Sequence, residues 1–245
     1  GQLGVRCDAL AGDFADQAEA LLAHVQAVLE VRPSRATLLQ LLVPLAGPGQ
    51  LSAGLAGLIR TAHLEHPQLL GQLIVTDDTD AADVLAARLQ ECARDADTAE
   101  VRYQDGVRST RAWVALEATA PQRPWKDGGV YLLTGGTGTL ARILAREIAT
   151  RARGAVLVLA GRRGPDAASR QQVRELEALG AVVELHALDV TDRAAVRRLV
   201  LQVQEQHQAL DGIVHAAGVL RDGLLLNKSP QALREVLAPK VSGLL

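Results

Sequence analysis

Small residues at Gly135, Gly136, Gly138 and Ala141 stand between an apolar run, Val130 to Thr134, and a helix-forming sequence that starts near Thr139. That order makes a phosphate cradle: glycines allow a sharp turn and close backbone approach, and a pyrophosphate then sits at the positive N-terminus of the helix. Gly136-x-Gly138-x-x-Ala141 has the spacing of a dinucleotide fingerprint, with Ala at a position that serves helix–sheet packing. Taken by itself the match also describes a glycine-rich turn. Gly161-Arg162-Arg163-Gly164 follows the next apolar run. A carboxylate at that point would accept from a free ribose 2′-hydroxyl, whereas two guanidiniums suit a 2′-phosphate and hence NADP(H). Asp189, after the third run, either accepts from an adenine amino group or closes a turn. His215-Ala216-Ala217-Gly218, after the fourth, either lets backbone lie against a cofactor or makes a buried small-residue turn.

These residues need strands and helices to hold them, and the pattern supplies both. Val130–Thr134, Ala155–Ala160, Val182–Leu188 and Gly212–His215 read as strands. Between them, Leu140, Leu144 and Ile148, then Val173, Leu176 and Leu179, then Val196, Leu199, Val200 and Val203 recur at helical spacing. Thr191 or Asp192 is the expected N-cap of the last of these helices. Unbroken apolar strands between amphipathic helices imply a parallel sheet covered on both faces, with ligands at the carboxyl ends of its strands. Each unusual residue named above sits at such an end.

The preceding residues alternate helix and strand as well. A helix from Asp13 carries Phe14, Ala18, Leu21, Leu22, Val25 and Leu29 on one face and ends by Pro33. Thr37–Val43 reads as a strand, Leu55, Leu58, Ile59 and Ala62 as a helix face, and Gln72–Val75 as a strand. Asp80–Asp95 holds a third helix with Val84, Leu85, Leu89 and Cys92 on one side. Glu100–Gln104 and Val107–Val114 flank Asp105-Gly106, which predicts a type I′ hairpin. Ala118–Gly129, rich in Pro, Gly and polar residues, reads as a linker. The expected division is therefore 1–117, a structural unit without phosphate loop or catalytic cluster, a linker at 118–129, and 130–245, a cofactor-binding unit. His63 and His66 lie three apart, but no third metal ligand stands at a matching spacing, so no metal is expected.

With 48% apolar residues in 245, the chain has ample material for packed cores. Aromatics at 2% and a net charge of −2 argue against nucleic acid or an anionic membrane surface as partner. Cys7 and Cys92 make no disulfide framework. No apolar run reaches bilayer length and no signal pattern opens the chain, so a cytoplasmic protein is the default. Gly at position 1 and the absence of Met give the expectation of a piece of a longer polypeptide.

Together these motifs resemble the short-chain dehydrogenase/reductase superfamily, and within it the ketoreductase domain of modular polyketide synthases. The resemblance is carried by TGGTGTLA at 134–141, GRRG at 161–164, DVTD at 189–192, HAAGVLRDG at 215–223 and APKVSG at 238–243, with GLIRTAHLEHPQLLGQLI at 57–74 and VRYQDGVRSTRAW at 101–113 similar to the family's structural subdomain. It implies an α/β protein of two Rossmann-like subdomains, the second a doubly wound parallel sheet truncated at its C-terminal end. It further implies NADPH-dependent reduction of a β-keto thioester, presented by an acyl carrier protein within a multi-domain synthase, to the β-hydroxy thioester.

Carried over residue by residue, the resemblance assigns Gly135, Gly136, Thr137, Gly138, Thr139, Leu140, Arg162, Arg163, Asp189, Val190, Ala216, Ala217 and Gly218 to the cofactor and Lys240 to catalysis. Asp222 matches the position associated with a D-configured hydroxyl, although Arg221 replaces the acid that usually precedes it. The family's Ser and Tyr are expected beyond Leu245, so the fragment alone is expected to bind cofactor without turning over. Two alternatives stay open at this point: a non-reducing pseudo-ketoreductase kept as a scaffold, and a free-standing dehydrogenase of small alcohols, which the extra N-terminal α/β unit disfavours.

Overall fold

The computed structural model describes residues 7–31, 35–77, 81–117, 124–164 and 166–245. Pro33, Asp80 and the 118–123 part of the expected linker lie outside the described residues. The chain divides into two compact units: the described residues up to Glu117 together with Arg221–Arg234, and those of 124–220 together with Glu235–Leu245. The stretch 221–234 thus groups with the first unit, although in sequence it interrupts the second.

In the first unit the helix α1 (Cys7–Glu30) buries Ala18, Leu22, Val25 and Leu29, the face its apolar spacing predicts. Strands β1 (Thr37–Pro44), β2 (Leu69–Thr76), β3 (Glu100–Gln104) and β4 (Val107–Thr110) form one sheet in that order. The first three are parallel and β4 returns antiparallel through Asp105 (φ 51°) and Gly106 (φ 75°), the left-handed pair that a type I′ turn requires. Helices α2 (Ala56–Glu65) and α3 (Ala82–Ala93) complete it. Leu22, Val25 and Leu29 meet Ala62 and Leu69 in one core, while Cys92, Ile74, Val101 and Tyr103 make another. Val84, expected on the inner side of α3, is 37% exposed; Arg88 takes an inner position instead, with its guanidinium 4.6 Å above the Tyr103 ring. His63 Nδ1 is bonded to the Leu69 carbonyl, 3.0 Å away.

The second unit holds the candidate site. Its strands β5 (Val130–Thr134), β6 (Val156–Gly161), β7 (Val182–Ala187) and β8 (Gly212–His215) are all parallel, in the order β7-β6-β5-β8. The chain steps outward from β5 to β7, then crosses back to the far side of β5, so the order reverses between β5 and β8. Open α/β sheets bind ligands at that reversal. Helices α4 (Thr139–Arg151), α5 (Ala167–Glu177) and α6 (Arg193–His207) are the crossovers. Tyr131, Leu133, Leu157 and Leu159 point to the core shared with α4 and α5, and Val130, Leu132, Val158 and Ala160 to the one shared with α6.

Two helix faces differ from the sequence reading. Helix α4 packs through Ala141, Ala145, Ile148 and Ala149, and Leu140 is 69% exposed; the three alanines let the helix lie close to the sheet, with Leu140 and Ile143 turned outward. Leu179 falls beyond the end of α5 and is 42% exposed. The described part of the linker is also more ordered than its composition suggests. Trp125 stands edge-on to Tyr131, with ring centroids 5.4 Å apart, and the Lys126 N–H donates to the Tyr131 hydroxyl (2.7 Å).

Asp211 secures the entry to β5 by accepting from Val130 N–H and from Lys126 Nζ, both at 2.9 Å. The backbone N–H first, and then the ammonium, hold its carboxyl below the usual carboxylate range. A folded-state pKa below the unfolded one stabilises the fold above the unfolded pKa, near ~4, and the contribution is lost as pH falls through the folded value. Asp211→Asn is therefore expected to lower the urea midpoint at pH 7, with the gap to wild type closing as pH drops below ~4. A gap independent of pH would show that the carboxylate charge is not what holds the entry.

Candidate active site

The glycine turn after β5 is shaped by contacts that leave no room for side chains. Gly135 has φ 63°, and a Cβ on it would lie 2.6 Å from the Ala216 carbonyl oxygen and 2.9 Å from Ala217 Cα. The sharp turn therefore belongs to Gly135, one residue before the position given that task by the fingerprint spacing. Gly136 instead lies on the sheet, where a Cβ would fall 2.7 Å from Leu159 Cβ. Its N–H donates to the Ala160 carbonyl (3.0 Å), and its own carbonyl accepts from Gln172 Nε2 (2.9 Å). Gly138 closes the turn through an N–H donated to the Gly135 carbonyl (2.7 Å) and opens α4 with its own carbonyl, which accepts from the Arg142 N–H (3.0 Å); Ala141 is fully buried below it.

Helices α5 and α6 have side-chain caps, Asp166 accepting from Ser169 N–H and Asp192 from Ala195 N–H. Helix α4 has no side-chain cap hydrogen bond. Its first amides keep the donor character that suits a pyrophosphate. Thr139 and Leu140 open that helix and are exposed, and Thr137 lies beside the end of β6, its hydroxyl 3.9 Å from where a Gly161 Cβ would stand.

Arg162 and Arg163 leave the end of β6 exposed to solvent. Each has a carboxylate for a neighbour. Asp189 Oδ1 accepts from the Thr191 N–H (2.9 Å) and hydroxyl (2.7 Å), and these bonds, with Arg162 nearby, hold its carboxyl below the usual range. Asp166 is lowered likewise, by Ser169 foremost and by Arg163. Asp189 thus forms the turn through one oxygen, the other having no bond to that turn. The Val190 side chain is buried between Leu188 and Leu199, leaving its backbone for any ligand contact.

After β8, the Ala216 N–H donates to the Thr134 carbonyl (3.2 Å) and the Ala217 N–H reaches Thr134 Oγ1 (3.4 Å). Gly218 is exposed, has no positive φ, and a Cβ there would meet nothing within 4 Å. Packing gives no reason for glycine at that point, whereas a ligand approaching its backbone does. Lys240 is exposed in a turn over 238–244 that follows α7 (Pro230–Leu237), with its N–H on the Leu237 carbonyl (2.9 Å). Gly243 seats that turn on the second unit, since a Cβ there would fall 2.7 Å from Val190 Cγ2.

Residues 129–245 match the KR domain family. The chain belongs to the ketoreductase domain family of polyketide synthases, within the short-chain dehydrogenase/reductase superfamily. It is 35% identical over 244 residues to polyketide synthase PksN of Bacillus subtilis (strain 168), covering 99% of this chain and 4% of that protein. It is 34% identical to polyketide synthase ThaG of Burkholderia thailandensis, covering 98% and 4% respectively. Among solved structures it is similar to a ketoreductase domain from the bacillaene assembly line, with TM-score 0.88 and 32% identity over all of this chain and 57% of that one. A-type ketoreductases from a modular polyketide synthase give TM-score 0.71 and 30% identity, covering 91% and 49%. The chain thus spans about half of such ketoreductase chains and a few per cent of a synthase.

In this ketoreductase the structure joins the loops after β5, β7 and β8 with the 238–244 turn. Asp222 is not part of that cluster: it is exposed at the start of the stretch that groups with the first unit. Gln26 on α1 donates to the carbonyls of Leu225 and Lys228, both at 2.8 Å, and Glu65 accepts from Leu225 N–H (2.8 Å). The Leu225 side chain is buried with Leu22, Val25 and Leu29. Gln26, Glu65 and Gln172 carry no sequence signal beyond their types. Gln172 shares the buried face of α5 with Ser169 and Leu176. Among the described residues no cluster of His, Cys, Asp and Glu could hold a metal ion, and no helix is long and apolar enough to cross a membrane.

Two glycines separate packing from ligand approach. Gly136→Ala is expected to cost ~1–3 kcal/mol by overpacking against Leu159, while Gly218→Ala stays within about 0.5 kcal/mol of wild type. Chemical denaturation of both variants checks this, and equal stability of the two would contradict the geometry.

Proposed function

We propose that this domain works in NADPH-dependent reduction of a β-ketoacyl thioester, held on an acyl carrier protein of the parent synthase, to the β-hydroxy thioester. The observation that carries the reading is the crevice at the β5–β8 reversal: an uncapped helix start behind a side-chain-free turn, with two exposed guanidiniums at the end of β6. The α4 amides and the Gly135–Gly138 turn would hold the pyrophosphate, Arg162 and Arg163 a 2′-phosphate, and the backbone at Asp189–Val190 and Ala216–Gly218 the remaining length of the dinucleotide. The nicotinamide cofactor, when bound, supplies the hydride.

Asp189 and Asp166 each have one carboxylate oxygen bonded locally, to Thr191 and to Ser169. They fix the turns beside Arg162 and Arg163, and the paired guanidiniums, which suit a 2′-phosphate, support NADPH over NADH. Lys240 supplies a positive charge for the carbonyl oxygen as its charge develops. The proton must come from another group. The Tyr131 hydroxyl is engaged by Lys126, and Tyr103 lies in the first unit bonded to Glu91. Asp222 is read as the determinant of a D-configured product, and residues 1–117 as the structural subdomain beside the cofactor-binding one.

The test is oxidation of NADPH and of NADH by the full synthase polypeptide with a β-ketoacyl thioester surrogate, followed by chiral analysis. Turnover preferring NADPH, with the preference falling roughly tenfold or more in Arg162→Ala and Arg163→Ala, is the expected result. No turnover by the folded polypeptide would overturn the reading, and an L-configured product would remove the role given to Asp222.

A further inference from the structure

His215 closes β8 directly opposite Thr134, its partner in the parallel register with β5. Its Nε2 lies 2.9 Å from the Pro239 carbonyl oxygen and its Nδ1 2.9 Å from Thr134 Oγ1. A carbonyl only accepts, so Nε2 carries the hydrogen; in the neutral ring Nδ1 is then the acceptor, and the Thr134 hydroxyl must donate to it. That orients the Thr134 lone pairs toward the Ala217 N–H, 3.4 Å away. One ring therefore links the turn that precedes Gly135, the backbone at Ala217, and the carbonyl of the residue before Lys240. Pro239 is itself buried, and it has no N–H with which to be held by its own backbone donor.

We propose that His215, as the Nε2–H tautomer, is the positioning residue that fixes the Lys240 turn to the cofactor crevice, acting through Pro239 on one side and Thr134 on the other. An imidazole suits the role: a donor and an acceptor on one rigid ring span the gap between a hydroxyl and a carbonyl. No other side chain bonds the Pro239 carbonyl among the contacts of the described residues. The turn's backbone bonds are local, Lys240 and Val241 N–H to Leu237, Gly243 N–H to Ala238 and Leu244 N–H to Val241. Loss of the ring would remove the bond that ties Pro239 to the end of β8 and leave Gly243 packed on Val190. The functional meaning of the anchor rests on the reductase reading, but its existence does not.

Two measurements separate these. On the 245-residue chain, ¹⁵N shifts of the His215 ring should show a protonated Nε2 and an unprotonated Nδ1 at neutral pH, and hydrogen exchange at Lys240, Val241 and Gly243 should speed up roughly tenfold in His215→Ala. In the full synthase polypeptide, His215→Ala should lower kcat at least tenfold with the KM for NADPH within about threefold. His215→Gln, which keeps a donor at the reach of Nε2, should recover most of the loss, and His215→Asn, too short for Pro239, should not. Thr134→Val, nearly isosteric, removes the opposite bond and gives the same test in a variant that preserves packing. An Nδ1–H tautomer, unchanged exchange in the 238–244 turn, or His215→Asn matching His215→Gln would each overturn the anchor. A wild-type synthase without NADPH oxidation would instead overturn the reductase reading and leave the tautomer and exchange results standing.

Discussion

The carbonyl of Ala216 lies so close to Gly135 that no side chain fits between them, and the rest of the site depends on that approach. Strands β5 and β8 are hydrogen-bonded neighbours whose last residues, Thr134 and His215, stand in register. The loops that leave them must diverge, one into α4 and the other toward the 221–234 stretch, without wasting the space above the sheet. A left-handed glycine at 135 and two alanines at 216 and 217 allow the main chains to touch before they part. The crevice at the sheet's reversal is consequently floored by backbone and by Thr134 and His215. Phosphate recognition by helix amides needs such a floor, because a bulky side chain would keep the ligand away from the helix end.

Charge is arranged by the same economy. Two carboxylates stand near the arginines after β6, and unengaged they would neutralise the guanidiniums or compete with an anionic ligand. Each is instead occupied by a neighbouring Thr or Ser, so its charge is spent on a turn or a helix cap. Both carboxyls are held below the usual range, first by these bonds and then by the neighbouring arginine. The arginines are left as exposed donors on a rigid frame.

Much of this was legible in the sequence. The central strands β5 and β6 appear as unbroken apolar runs because they are covered on both faces, whereas the edge strands β7 and β8 are part exposed and are placed by their alternation with helices. The Asp105-Gly106 hairpin and the Asp192 cap followed from residue types whose backbone preferences are strong. What could not be read were faces and partners. Leu140 looked like a core residue and is exposed, since α4 approaches the sheet through alanines and hydropathy gives them little weight. The turning glycine is Gly135, and a spacing rule counted from Gly136 cannot see which of two adjacent glycines has the positive φ. Gln172 and Gln26 find their carbonyls 36 and 199 residues away, distances over which local pattern carries no information.

In both units several of the bonds that fix loops are directed at main-chain atoms. Gln172 holds the Gly136 carbonyl, His215 the Pro239 carbonyl, and Gln26 the carbonyls of Leu225 and Lys228. A carbonyl acceptor is the same whatever side chain its residue bears, so these contacts fix the path of a loop without constraining what the loop displays. The stretch with Asp222 illustrates the consequence. Its path is held by Gln26, Glu65 and the buried Leu225, while Arg221 and Asp222 themselves are exposed. The exposed Asp222 can therefore vary without disturbing that path. A loop held by its backbone is in that sense free to vary what it displays, because the side chain on display is not the group that holds.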